Sequence, residues 1–150
     1  MQANFVILAL EEEQSMPFGA IEEQILAAAK QYILLLEKVN ELVGQAPDAI
    51  LSGSPSTIYL KKLGHRPLTS EDSQAVINAL GTEQDKQLVV DFGLAQEAIS
   101  QRLQVTKNIG LVLKQAKIPY DQVYKRFKRT DLWKPEQMIQ IIDVLRRLQL

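Results

Sequence analysis

Residues 118–129, Ile-Pro-Tyr-Asp-Gln-Val-Tyr-Lys-Arg-Phe-Lys-Arg, are the stretch from which the fold of the C-terminal part can be worked out. Val123 and Phe127 are four residues apart, so they share one face of a helix, and Ile118 precedes that helix as a third apolar anchor. Pro119 suits the first helical turn because it has no N–H group to satisfy. The stretch therefore predicts a short helix with an apolar underside and an outer face of polar, aromatic and basic side chains.

The patterns around this stretch predict a bundle of four helices in the C-terminal part. We expect the helices at about residues 84–104, 106–116, 119–129 and 135–148, with Thr106 capping the second. The connection between the second and the third is very short. Two helices joined in this way form a helix-turn-helix.

One long helical pattern, from about residue 18 to residue 43, dominates the N-terminal part. Six of its apolar residues follow one another at alternating distances of four and three, as in a coiled-coil seam: Ile25, Ala29, Tyr32, Leu36, Val39 and Val43. Further apolar residues widen the stripe. A stripe of this width is typical both of a core helix and of a helix shared between two subunits, and the sequence leaves the two open.

Two shorter segments are ambiguous between strand and helix. Residues 4–10 are compatible with a short buried strand or with the start of a helix, and residues 57–63 with a strand or a short helix. The fold class that we expect is all-α, with room for one short N-terminal strand. We expect an acidic helical region at 1–82, suited to dimerisation, and a helix-turn-helix domain at 83–150.

Charge divides the chain more sharply than its net charge of −1 suggests. Residues 1–100 hold 6 basic and 14 acidic residues, a formal charge of −8, whereas residues 101–150 hold 11 basic and 4 acidic residues, a formal charge of +7. A basic end on an acidic body is typical of proteins that bind nucleic acid. Two solvated faces without a partner are the alternative.

Composition excludes several functions. The chain has no cysteine, so it has no disulfide and no cysteine-based metal site or nucleophile, which suits the reducing cytoplasm. No apolar run approaches the length of a membrane span, and Glu11–Glu13 after the apolar start argue against a secretory signal. His65 has no partner at metal-ligand spacing. Because no phosphate-binding glycine loop and no nucleophile with a base are found, we expect no enzyme, no metal and no cofactor.

Residues 108–145 resemble the phage-repressor and Cro-like helix-turn-helix family. In that family an aliphatic turn residue is followed by an aliphatic residue five positions on and by another apolar residue four further, as are Ile118, Val123 and Phe127 here. A loop and a further helix with an apolar stripe follow, and the residues that match them are Met138, Ile139, Ile142 and Leu145.

The resemblance implies a protein that binds double-stranded DNA and regulates transcription. The residues expected to face the bases are Tyr120, Asp121, Gln122 and Lys125. Those expected at phosphates are Thr106, Lys107, Tyr124, Lys128, Arg129 and Lys134. One unit makes few contacts, so we expect a homodimer on two half-sites, paired through the long helix.

A helical interaction module is the alternative function. In that case the basic face would hold an acidic protein partner, as in an adaptor or in an inhibitor encoded by a phage or a plasmid. The sequence does not separate these two forms of the alternative.

Overall fold

The computed structural model describes residues 19–150, and no strand is present among them. The seven α-helices of this part of the chain are α1 (Ala20–Leu42), α2 (Pro55–Lys62), α3 (Ser70–Leu80), α4 (Glu83–Gln104), α5 (Ile109–Ala116), α6 (Tyr120–Lys128) and α7 (Pro135–Leu148). The all-α fold class is therefore confirmed. The strand considered for residues 4–10 lies outside the described residues. None of the described helices is long and apolar enough to cross a membrane.

Helix boundaries follow signals that the sequence carries. Residues 55–62 are helical rather than extended, because Ser54 accepts a hydrogen bond from the N–H of Thr57 and Pro55 occupies the first helical position. α3 begins directly after Thr69 with a reciprocal cap. The Thr69 hydroxyl accepts from the N–H of Asp72, and the Asp72 carboxylate accepts from the N–H of Thr69.

Contacts between residues divide the chain into two compact units. The terminal unit consists, within the described residues, of 19–32 and Val89–Leu150, and the middle unit is Ile33–Leu88. The helix-turn-helix segment belongs entirely to the terminal unit. The sequence suggested an acidic helical region at residues 1–82 and a helix-turn-helix domain at residues 83–150. That division stays a prediction.

A buried ion pair organises the middle unit. The ammonium group of Lys61 lies 2.6 Å from the Asp72 carboxylate, and the two side chains are 6% and 1% exposed. Lys61 also donates to the carbonyl of Ser52, and Asp72 accepts from the N–H and the hydroxyl of Ser52. Burial by itself would raise the pKa of Asp72, but the hydrogen bonds from Lys61, Ser52 and Thr69 outweigh it and hold that pKa well below its usual range.

The core of the terminal unit draws on five helices, α1, α4, α5, α6 and α7, and on the connections between them. Its buried residues are Ile25, Ala28 and Ala29 of α1; Phe92, Ala95, Ala98, Ile99 and Leu103 of α4; Val112, Leu113 and Ala116 of α5; Ile118, Val123 and Trp133; and Met138, Ile141, Ile142, Val144 and Leu145 of α7. Ion pairs from Glu22 to Arg102 and from Glu23 to Arg146 hold the first turn of α1. The ion pair between Glu22 and Arg102 joins residues 80 positions apart in the chain.

The seam predicted on the long helix lies mostly in the interior of the single chain. Four of its six residues are buried: Ile25, Ala29, Val39 and Val43. Tyr32 stacks on Phe92 with ring centroids 3.9 Å apart, and Leu36 is half-buried. This is the intramolecular alternative that the sequence left open. Because four of the six side chains are already covered, only Tyr32 and Leu36 leave seam surface for a second copy, and pairing through α1 stays a prediction.

Candidate nucleic-acid interface

The two helices of the predicted helix-turn-helix are present, and the turn between them has three residues. α5 ends at Ala116 and α6 begins at Tyr120. Lys117 has φ +60° and ψ +40°, the left-handed conformation with which many helices end. The N–H of Ile118 then donates to the carbonyl of Leu113, which closes the turn at 3.0 Å. The connection is therefore as tight as the sequence predicted.

The start of α5 differs from the prediction. α5 begins at Ile109, and its N-cap is Asn108, which has φ +57° and makes no side-chain capping bond. Thr106 lies before this point. Its hydroxyl donates to the carbonyl of Arg102 at 2.6 Å and accepts from the Arg102 guanidinium at 2.8 Å. The prediction that Thr106 caps this helix is therefore wrong, because its hydroxyl bonds back to the preceding helix.

The inner face of α6 is anchored in the core of the terminal unit. Val123 is 1% exposed and Ile118 in the turn is 6% exposed, whereas Phe127 is half-buried against the same cluster. At the start of α6, Pro119 is the N-cap, and its carbonyl accepts from the N–H groups of Gln122 and Val123. The apolar underside predicted for this helix is therefore found.

A buried arginine shares that inner face, and the sequence interpretation missed it. The side chain of Arg126 donates to the carbonyls of Gln122, at 2.8 Å, and of Leu132, at 3.2 Å. Its guanidinium carbon lies 5.6 Å from the centroid of the Trp133 ring, which is cation–π distance. Among residues 19–150, no carboxylate forms an ion pair with Arg126. Carbonyl dipoles and an aromatic face therefore stabilise this charge.

The network continues from Trp133 into α4. The indole N–H of Trp133 donates to the Ser100 hydroxyl at 2.7 Å, and that hydroxyl donates to the carbonyl of Arg126 at 3.0 Å. The side-chain amide of Gln96 donates to the carbonyl of Trp133 at 2.8 Å. We call Gln96, Ser100, Arg126 and Trp133 the anchor network. It fixes the C-terminal end of α6, and the chain that follows it, to α4.

The spacing of α6 could have revealed part of this network. Arg126 is three residues after Val123 and is adjacent to Phe127, so it falls on the apolar face by helical periodicity alone. The sequence interpretation assigned Arg126 to neither face of the helix. Ser100 and Gln96 carry no such signal in the sequence. Their partners are Arg126, which lies 26 positions after Ser100, and Trp133, which lies 37 positions after Gln96, so the contacts form only in the folded chain.

The outer face of α6 carries the four residues predicted to face bases, and all four are exposed: Tyr120, Asp121, Gln122 and Lys125. Within residues 19–150 their side chains form no hydrogen bond and no ion pair. Polar groups on a fixed helix that have no partner in the described part of the chain are available to a ligand. The structure therefore brings these four side chains together on one element.

The basic residues predicted to hold phosphates differ in their partners. Lys107, Lys128 and Lys134 are exposed and form no ion pair with the described residues. Arg129 is also exposed, but it donates two hydrogen bonds to Asp131, at 2.9 and 2.8 Å, and this contact lowers the pKa of Asp131. Arg129 would therefore have to be shared with Asp131 or released from it to hold a phosphate.

Two further predicted phosphate contacts differ in availability. Tyr124 is 61% exposed, and its ring lies against Phe127 with centroids 6.3 Å apart. Thr106 is half-buried, but its hydroxyl already makes two hydrogen bonds to Arg102, one as donor and one as acceptor.

In residues 19–150, no group of three or more acidic or histidine side chains is arranged to hold a metal ion.

Comparison with known proteins finds no relative of this chain. No family model matches it, and neither a curated protein nor a solved structure matches it.

Proposed function

We propose that the protein binds double-stranded DNA in a sequence-specific manner through α6 and acts as a transcriptional regulator. The observation that carries the proposal is the outer face of α6, where Tyr120, Gln122 and Lys125 have no partner among residues 19–150, on a helix whose other side packs into the core. A rigid helix with exposed polar groups is what reading of base edges in the major groove requires. We propose no enzymatic activity and a cytoplasmic location.

The proposed roles follow from the chemistry of each side chain. The amide of Gln122 can make two hydrogen bonds to adenine, and the ammonium group of Lys125 can donate to the acceptors of guanine. Asp121 can accept from the amino group of cytosine. The cations of Lys107, Lys128 and Lys134 hold the phosphates on either side and set the position of the helix on the duplex.

Two copies are needed for useful affinity on this proposal, because one helix of nine residues makes few contacts. Four of the six seam residues of α1 are buried in the single chain, so the proposed homodimer pairs either in the free protein, through the rest of that seam or another surface, or only on DNA. Light scattering of the protein alone and with a two-site duplex distinguishes these two forms.

The test is the combined variant Gln122→Ala/Lys125→Ala. Sites are first selected from random duplexes with the wild-type protein, and affinities are then measured by fluorescence anisotropy. We expect the variant to lose roughly 2–6 kcal/mol of specific binding, since each base-reading side chain contributes about 1–3 kcal/mol. The matched control is Lys30→Ala/Gln31→Ala, which removes the same two residue types from exposed positions of α1 and should bind normally.

Salt dependence is a second measurement on the same proposal. Three cations, Lys107, Lys128 and Lys134, are assigned to phosphates, so the logarithm of the binding constant should fall against the logarithm of salt concentration with a slope of about −2.7 for each bound copy, or about −5 for two. Absence of any duplex binding at low salt would refute the proposed function.

A protein partner is the second candidate, and the mixed character of α6 favours it. Tyr120 and Tyr124 are 53% and 61% exposed beside Lys125 and Lys128, a combination that also suits an acidic helix or peptide. This candidate predicts purification with a protein and without nucleic acid. The ultraviolet absorbance ratio of the purified protein tells the two apart.

A further inference from the structure

The two tyrosines of α6 form an aromatic strip along one side of its outer face. Tyr120 is the first residue of the helix and Tyr124 lies one turn further, so at about 100° per residue the two are only about 40° apart around the helix axis. Their exposed fractions, 53% and 61%, are large for aromatic rings. In residues 19–150 neither hydroxyl has a hydrogen-bond partner. The strip is thus both apolar and unpartnered.

One of the two rings is held in place. Tyr124 contacts Phe127 with ring centroids 6.3 Å apart and an interplanar angle of 55°, and Phe127 is itself packed against the core. Such a tilted aromatic contact restricts the orientation of the exposed ring. Tyr124 therefore presents a fixed apolar surface beside the cationic side chains of Lys125 and Lys128.

We infer that Tyr120 and Tyr124 read the 5-methyl groups of thymines in the major groove, which makes them determinants of sequence specificity. The inference rests on the proposed function. Thymine is the base that presents a methyl group in the major groove, and apolar side-chain atoms recognise it by contact. The lysines beside the strip match the negative charge of the duplex, so the cationic surroundings favour DNA over an apolar protein surface.

Helix geometry adds a spatial constraint. Four residues of α-helix rise about 6 Å along the axis, and consecutive phosphates of one strand are spaced by about 3.4 Å along the duplex. A helix that lies along the groove therefore brings the two rings to base pairs about two steps apart. We therefore expect two recognised thymine methyl groups, about two base pairs apart, in each half-site.

The experiment replaces thymine by uracil, which removes only the methyl group. Each thymine of a selected duplex is replaced in turn, and affinities are measured for the full-length protein. We expect losses of about three- to fivefold at each of two positions, about two base pairs apart, since burial of one methyl group contributes about that factor. Equal affinities for thymine and uracil at every position would overturn the inference and leave the proposed function intact.

Variants assign the effect to the two rings. Tyr120→Ala and Tyr124→Ala should each abolish the thymine–uracil difference at one position, whereas Tyr120→Phe and Tyr124→Phe should keep it because the ring remains. Lys128→Ala is the matched control and should weaken thymine and uracil duplexes by the same factor. If each alanine variant keeps the thymine–uracil difference at both positions, or if the protein binds the single strand more tightly than the duplex, the inference is overturned. If no duplex of any sequence binds, the proposed function itself fails.

Discussion

Replacement of Ser100 by alanine should destabilise the protein by about 2–4 kcal/mol. The hydroxyl of Ser100 is 2.7 Å from the indole nitrogen of Trp133 and 3.0 Å from the carbonyl oxygen of Arg126. Trp133 is only 2% exposed, so water cannot replace the lost acceptor. A buried donor that is left without an acceptor lowers the free energy of unfolding by about 1–3 kcal/mol, and loss of the second hydrogen bond lowers it by about 1 kcal/mol more.

A double-mutant cycle separates this effect from general packing. Trp133→Phe removes the indole N–H together with part of the ring, whereas Ser100 keeps its bond to the Arg126 carbonyl. In the variant with both changes there is no indole N–H group that could be left without an acceptor. Its destabilisation should therefore fall short of the sum of the single variants by about 1–3 kcal/mol.

Urea unfolding followed by far-ultraviolet circular dichroism measures these free energies, since Trp133 is the single tryptophan and fluorescence is lost in one variant. A loss of 2–4 kcal/mol corresponds to a midpoint shift of about 1–2 M at a slope near 2 kcal/mol/M. Gln101→Ala, at the next and exposed position of α4, is the control and should change stability by less than about 0.5 kcal/mol. Additive effects of the two substitutions, or a Ser100→Ala variant as stable as this control, would refute the role assigned to the anchor network.

Two further predictions concern stability. Lys61 and the surrounding hydrogen bonds lower the pKa of Asp72 in the folded protein, so the contribution of Asp72 to folding stability is complete above the unfolded-state pKa of about 3.9 and is lost as the pH falls below that value. The free energy of unfolding of Asp72→Asn should therefore depend less on pH in the acid range than that of the wild type. An unchanged pH profile would contradict the role assigned to Asp72. Gly93→Ala should stabilise the protein by about 0.5–1 kcal/mol, because Gly93 lies in the interior of α4 and the added Cβ meets nothing within 4 Å. Gly81→Ala should destabilise it, because the added Cβ would lie 2.6 Å from the carbonyl oxygen of Ile77. The midpoints of thermal unfolding of the two variants should therefore shift in opposite directions.

Much of the local structure could be predicted from the sequence because it depends on neighbouring residues. Apolar spacing placed the long helix within a few residues of Ala20–Leu42, and the same kind of pattern placed α6 within one residue of Tyr120–Lys128. The outward direction of Gln122 and Lys125 followed from the positions of Val123 and Phe127 on the same helix. Each of these inferences uses a period or a cap that is complete within a few turns of chain.

The tertiary structure decided what each face packs against. Periodicity gave the apolar stripe of α1 but not whether a second copy or the chain itself would cover it, and the core shows Ile25 buried in the single chain. Burial of the Arg126 cation depends on Trp133 and on Ser100, a residue of another helix 26 positions away. A charged side chain is assigned to solvent by default, because the aromatic face and the carbonyl groups that stabilise it in the interior come together only when the chain has folded.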